Sequence, residues 1–232
     1  MASNKFFITG TDTDVGKTLF AAGLLTAANN QQLSTVAIKP LAAGCQQTPD
    51  GLRNDDALLL QACSSIALPY SQVNPVALEP AVAPHIAAAQ EGRRLRVAQL
   101  AGYCQALLMQ RADLALVEGA GGWRVPINSS ETLADLSKEL NIPVILVVGV
   151  KLGCINHALL TMQAIANDGL TLHGWVANRI SADMPCYQEN IATLRSMITA
   201  PCLAEVPYLE DPLPETVANF INMDLVISGQ NL

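Results

Sequence analysis

The chain has 232 residues, of which half are hydrophobic, 4% aromatic and 14% charged. That length can bury a sizeable core without covalent staples, and the apolar content excludes a disordered chain. Acidic residues outnumber basic ones 20 to 13, and the net charge of −7 argues against nucleic acid or an anionic membrane surface as partner, because both call for a basic footprint.

Short apolar runs alternate with segments of helical period. Lys5–Thr9, Thr35–Lys39, Leu114–Glu118, Pro143–Gly149 and Leu172–Asn178 predict strands. They are almost continuously hydrophobic, so both faces should be covered. Thr18–Ala28, Val97–Arg111, Thr132–Leu140, Cys154–Asn167 and Tyr187–Ile198 predict the helices between them. The alternation predicts an α/β fold, a mostly parallel sheet with helices on both faces, in a single domain over residues 1–232. The longest strongly apolar run, Pro143–Val150, is far short of the roughly 20 residues of a bilayer helix. No secretory leader opens the chain, so a cytoplasmic location is expected. Six scattered cysteines without a C-x-x-C pair, and three distant histidines, point to reduced thiols rather than zinc.

In parallel sheets, ligands bind beyond the carboxyl ends of the strands. The first strand runs into Gly10-Thr-Asp-Thr-Asp-Val-Gly-Lys-Thr18. A glycine-rich turn opening a helix aims backbone N–H groups and the positive end of the helix dipole at an anion. Lys17 would reach the outer phosphates of a nucleotide and the Thr18 hydroxyl would hold Mg²⁺. Five residues separate Gly10 from Gly16, one more than in the usual phosphate loop. The strand–turn–helix setting nevertheless predicts a three-layer P-loop nucleotide-binding fold. Asp12-Thr13-Asp14 also fits an aspartyl-phosphate nucleophile, but that reading leaves Gly-Lys-Thr unexplained. An acidic loop suits a site that also receives an amine.

The second strand ends at Lys39, before Pro40. A lysine there faces either solvent or an anion, and near a phosphate loop it would stabilise charge developing in phosphoryl transfer. The third strand ends at Glu118, followed by Gly119, Gly121 and Gly122. A carboxylate at that point would meet the cation held by Thr18, and the glycines admit close approach of a ligand. Asp55 and Asp56 open a helix in RNDDALLL. Either serves as a first-turn acid or reaches the site, and the pattern leaves the choice open.

GTDTDVGKT, KPLAAG, GLRNDDAL, VNPVALEPAVAPH, VEGAGGW, PVILVVGVKLGCINHA, GWVAN and EVPYL follow one another from about Phe6 to Tyr208. In that order they resemble the ATP-dependent dethiobiotin synthetases of biotin biosynthesis. The resemblance implies a homodimeric ligase that uses ATP, Mg²⁺ and CO₂ to close a cyclic urea on 7,8-diaminononanoate. A carbamate and a carbamic–phosphoric anhydride are the implied intermediates. It implies Lys17 and Lys39 as the catalytic cations, and Thr18, Asp56 and Glu118 as metal ligands. For ATP it implies Asp14, Val15, Gly16, Lys17, Thr18, Leu19, Asp56, Glu118, Gly119, Ala120, Gly121, Asn178, Arg179, Pro207, Tyr208 and Leu209, with Asn178 reading adenine. For the diamine it implies Thr13, Lys39, Ala43, Val150, Gly153, Cys154 and Asn156, the last four at the start of a helix lent to the partner subunit. Ala43 stands where the family usually carries Ser or Thr.

Two other readings are open to a phosphate-loop protein. An amide synthetase of the corrin type resembles the first half but appends a glutamine-hydrolysing domain, for which this chain has no length. A switch ATPase of the cell-division type carries a lysine near the loop start and a basic terminal helix. Here that position is Asp12, and NFINMDLVISGQNL contains no Lys or Arg. A ligase acting on another diamine shares every motif named above.

Overall fold

The computed structural model describes residues 4–228, so residues 1–3 and 229–232 of the expected domain lie outside the described residues. The main sheet contains β1 (Asn4–Gly10), β2 (Thr35–Ile38), β3 (Leu114–Glu118), β4 (Val144–Val150), β5 (Leu172–Arg179) and β6 (Cys202–Val206). Their spatial order is β6-β5-β4-β1-β3-β2, and all five pairings are parallel. From β1 the chain runs to the far edge at β2, returns to fill the gap with β3, and then crosses to the other side of β1, where β4, β5 and β6 add outward. That reversal opens a crevice at the carboxyl end of β1, where parallel sheets bind ligands.

The principal helices are α1 (Lys17–Asn30), α2 (Asp55–Cys63), α3 (Val97–Leu108), α4 (Leu133–Leu140), α5 (Cys154–Asn167), α6 (Tyr187–Met197) and α7 (Pro214–Ala218). Side chains alternate across a strand, and the two faces of β1 show it. Phe7 packs with Val36, Ile38 and Val117 under α3 and α4. Phe6 and Ile8 pack with Leu116, Ile145 and Val147 against α1 and α7. Leu146 is in register with Thr9, so it points to Phe7's side, and with Val148 and Trp175 it underlies α5 and α6. The result is a helix–sheet–helix sandwich, the α/β architecture the apolar pattern predicts. Among the described residues no helix is long and apolar enough to cross a membrane, and all six cysteines are free.

Several boundaries shift from the sequence reading. β6 is an additional edge strand; it holds only five residues and carries Glu205, so its apolar signal is weak. Lys39 falls just past β2, with its N–H donated at 2.8 Å to the Val73 carbonyl, because Pro40 cannot continue a ladder. Thr132 caps α4 rather than starting it. The Asp135 carboxylate accepts both its N–H and its hydroxyl at 2.8 Å, a capping box. Helix α3 stops at Leu108, short of Arg111.

His173 on β5 offers a pH test of this core. Its Nε2 lies 2.8 Å from the Val226 carbonyl, and its ring sits 4.4 Å from that of Phe6. Burial pushes its pKa below the ordinary 6.5, outweighing the carbonyls of Val226 and Leu225. The unfolded chain therefore takes up a proton that the folded chain refuses. Stability is full above 6.5 and declines as pH falls through 6.5 toward the depressed folded value. The thermal midpoint of the native chain should drop between about pH 8 and about pH 5 by more than that of His173→Gln. Parallel curves would remove His173 as a source of the slope.

Candidate active site

The phosphate loop is a strained turn between β1 and α1. Gly16 has φ +88° at the helix N-cap, and Asp14 is also left-handed at φ +55°. Val15 is completely buried and fills the space left by two glycines. A Cβ at Gly10 would meet Val15 Cγ2 at 2.6 Å, and one at Gly149 on β4 would meet Val15 Cγ1 at 2.7 Å. Asn178, on β5, donates from Nδ2 to the Val15 carbonyl at 2.9 Å. Lys17 opens α1 and is 6% exposed, with its Nζ donating to the Asp12 carbonyl at 3.0 Å. Desolvation lowers its pKa, the nearby Lys39 charge adds to this, and the attraction of Glu118, Asp56 and Asp14 does not offset them. An ammonium in that state gains from an incoming anion.

A second group of charges faces the loop. Lys39 Nζ lies 2.5 Å from Asp56 Oδ2 and 2.7 Å from Glu118 Oε1. Glu118 is fully buried and its Oε1 also accepts the Thr18 hydroxyl at 2.7 Å. Burial acts to lower the Lys39 pKa, but the two carboxylates outweigh it and the net shift is upward. Burial acts to raise the Asp56 pKa, and the Lys39 charge and hydrogen bond reverse it, so the net shift is downward. Asp56 therefore joins the cluster while Asp55 stays exposed, which resolves the pair that the sequence left open. Asn54 caps α2 by accepting the Ala57 N–H at 3.2 Å and so fixes the aspartates' direction.

Glu118 Oε2 is buried and has no hydrogen-bond partner. An orphaned carboxylate oxygen beside a hydroxyl and a second carboxylate fits a hard cation that takes its remaining ligands from water and phosphate, as Mg²⁺ does. No group of three or more His, Cys, Asp or Glu converges among the described residues.

A cleft of about 1000 Å³ joins the two groups, lined by Thr13, Asp14, Gly16, Lys17, Thr18, Leu19, Lys39, Ala43, Asp56, Ala120 and Gly121. Val15, Gly119 and Asn178 are buried behind it. Arg179, Pro207, Tyr208 and Leu209 do not line it. They lie at or just past the ends of β5 and β6, which pair at Asn178 and Val206. The Arg179 guanidinium donates to the Ser181 and Ala182 carbonyls at 3.1 and 2.5 Å. Val150, Gly153, Cys154 and Asn156 also stand outside the cleft. The Cys154 side chain turns inward among Val148, Val150 and Ala158, whereas Gly153 and Asn156 face solvent.

Some of the cleft escaped the sequence reading. Ala81, Val82, Ala83 and Pro84 give it an apolar stretch of wall, and Pro212, from the chain beyond β6, also lines it. Arg124 also lines the cleft and is held by Asp168, with Nη1–Oδ2 at 2.9 Å and Nη2–Oδ1 at 3.0 Å. The same carboxylate accepts Trp123 Nε1 at 2.8 Å. Trp123 and Arg124 continue the VEGAGG turn and so carried a signal, but the partner 44 residues away in sequence did not.

The chain is similar to known proteins over most of its length. A family model described as an AAA domain matches residues 4–216. The ATP-dependent dethiobiotin synthetase BioD of Cellvibrio japonicus is 64% identical over 209 residues, 90% of this chain and 91% of that protein. The Pseudomonas paraeruginosa protein of the same name is 55% identical over 94% of this chain and 96% of its own. That of Marinobacter nauticus is 48% identical over 99% and 100%. Among solved structures, the septum site-determining protein MinD with Mg-ADP from Pyrococcus horikoshii matches at TM-score 0.55 and 16% identity, over 98% of this chain and 86% of that one. The signal recognition particle receptor FtsY of Elizabethkingia anophelis matches at TM-score 0.53 and 14% identity, and the chain spans 65% of it. The structural neighbours establish the fold, and the sequence relatives establish that this chain belongs to the ATP-dependent dethiobiotin synthetase family.

Proposed function

We propose that the chain, acting as one domain, converts 7,8-diaminononanoate, CO₂ and ATP to dethiobiotin, ADP and phosphate. A free amine of the substrate adds to CO₂ and loses a proton, giving a carbamate. The carbamate oxygen attacks the γ-phosphorus and ADP leaves, giving a carbamic–phosphoric anhydride. The second amine attacks the carbamoyl carbon, phosphate leaves, and the urea ring closes. The task for the protein is to hold two anions, carbamate and triphosphate, in contact. Lys17 and Lys39 supply the fixed positive charge. Residues 14–19 cradle the phosphates. Thr18, Asp56 and Glu118 would hold Mg²⁺, which when bound neutralises phosphate charge. The apolar wall of Ala81–Pro84 suits a methylene chain, and Thr13 and Ala43 lie toward the amines.

The observation that carries this reading is the buried Lys39–Glu118–Asp56 cluster opening into the same cleft as the phosphate loop. Incubation with the diamine, bicarbonate and Mg-ATP should give ADP and a product of cyclic-urea mass. ATP hydrolysis that proceeds equally without diamine would instead favour a switch ATPase.

A second copy of the chain completes the substrate site in this reading, and the pair works in the cytoplasm. Val150–Asn156 does not reach its own cleft, and Leu152 within it and Leu160 on the following helix are 95% and 57% exposed. Light scattering should give about twice the chain mass of 24.6 kDa. A fully active species of single-chain mass would overturn the shared site.

Ala43 removes a hydroxyl from the cleft wall. Ala43→Ser should lower KM for the diamine about fivefold, the size of one ordinary hydrogen bond, with KM for ATP unchanged. No change in KM would show that the hydroxyl is dispensable here.

A further inference from the structure

Asn178 does more in this fold than face a base. It is 8% exposed and in register with Gly149 on β4 and Val206 on β6. Its Nδ2 donates to the Val15 carbonyl at 2.9 Å. The reversed amide would set two acceptors against each other, so the orientation is fixed. The Val15 side chain is wedged at Gly10 and Gly149 by shape alone. The next residue, Gly16, turns its Cα toward the same amide nitrogen. Among these contacts the Asn178 hydrogen bond is the directional one, and it falls on the peptide that leads into Gly16 and Lys17.

One N–H of the amide is committed to the loop. The other N–H remains, and the carbonyl Oδ1 accepts no hydrogen bond among the described residues. Together they present the donor–acceptor pair complementary to adenine N7 and its 6-amino group. Guanine would oppose its O6 to Oδ1. Base recognition and loop geometry therefore converge on one planar group.

We infer that Asn178 is a positioning residue for the phosphate loop, holding Val15 so that the loop amides keep their aim at the triphosphate whether or not a base is bound. This rests on the proposal that the loop receives ATP's phosphates. Inorganic tripolyphosphate is the probe, because it has no base to read. In calorimetric titration with Mg²⁺ present, Asn178→Ala should weaken tripolyphosphate binding about fivefold to tenfold. Asn178→Asp should weaken it more, because a carboxylate oxygen then faces the Val15 carbonyl. The thermal midpoints should fall modestly with the lost hydrogen bond, more in Asn178→Asp, and binding is measured well below both. Lost ATP affinity with native tripolyphosphate affinity in both variants would leave Asn178 a base reader only. Hydrogen exchange of the nucleotide-free chain decides independently of any ligand. Peptides covering residues 11–17 should exchange faster in Asn178→Ala, and equal exchange would overturn the inference. That readout needs neither ATP nor product, so it stands apart from failure of the cyclic-urea assay.

Discussion

Lys39→Ala should lower kcat by about 100- to 1000-fold while KM for ATP moves less than about tenfold, the signature of a group whose charge counts most in the transition state. The argument starts from burial. The ammonium is 4% exposed and held by two carboxylates at 2.5 and 2.7 Å. Those carboxylates keep its pKa raised against desolvation, so it is charged at any working pH. It is also fixed in place, which would spare reorganisation as charge develops in the proposed phosphoryl transfer. Lys39→Arg should not rescue the rate, because a planar fork cannot replace a compact ammonium between those two oxygens. A kcat equal to the native value would remove Lys39 from the chemistry.

The same substitution carries a stability consequence. Glu118 is wholly buried, and loss of its partner leaves a buried charge uncompensated, a defect of about 3–5 kcal/mol at fully enclosed sites. Asp56 has a side chain 47% exposed, so water relieves its share. Added Mg²⁺ should raise the thermal midpoint of Lys39→Ala more than that of the native chain, since a cation binding only the folded state stabilises it by mass action. No rise with Mg²⁺ in either protein would mean that Glu118 and Asp56 do not form a cation site.

The parts of this site legible in the sequence are those that follow a strand. Lys17, Lys39, Glu118 and Asn178 each stand at or just beyond a buried apolar run, and a parallel sheet must gather such positions along one edge. The aspartate of the cluster that opens α2 was harder. Asp55 and Asp56 are equivalent by composition, and only the Asn54 cap and the reach to Lys39 separate them. The Arg124–Asp168 pair was not legible at all. Asp168 sits at the C-terminal cap of α5, where an acid is locally disfavoured, so its reason lies in a tertiary contact. The main-sheet strand missed in the fold, β6, failed for a similar cause: an edge strand with one pairing partner needs less apolar sequence than a central one.

Gly16→Ala tests the loop itself and should cost about 100-fold or more in ATP affinity. Two penalties combine there. Alanine at φ +88° pays about 1–2 kcal/mol for the left-handed conformation. Its Cβ would also drive into the Asn178 amide nitrogen, so the loop, β5 or both must shift, and the phosphate-facing amides shift with them. Gly153→Ala separates the two effects. Gly153 is likewise the N-cap of a 14-residue helix, with φ +94°, but a Cβ there meets nothing within 4 Å. Within its own chain that variant carries the conformational penalty alone, and it should lower the thermal midpoint without changing ATP affinity. If both alanine variants lost ATP affinity equally, backbone strain would account for the defect and the Gly16–Asn178 contact would have no part in it. If only Gly16→Ala lost it, the phosphate loop owes its shape to the residue at the end of β5 as well as to its own glycines.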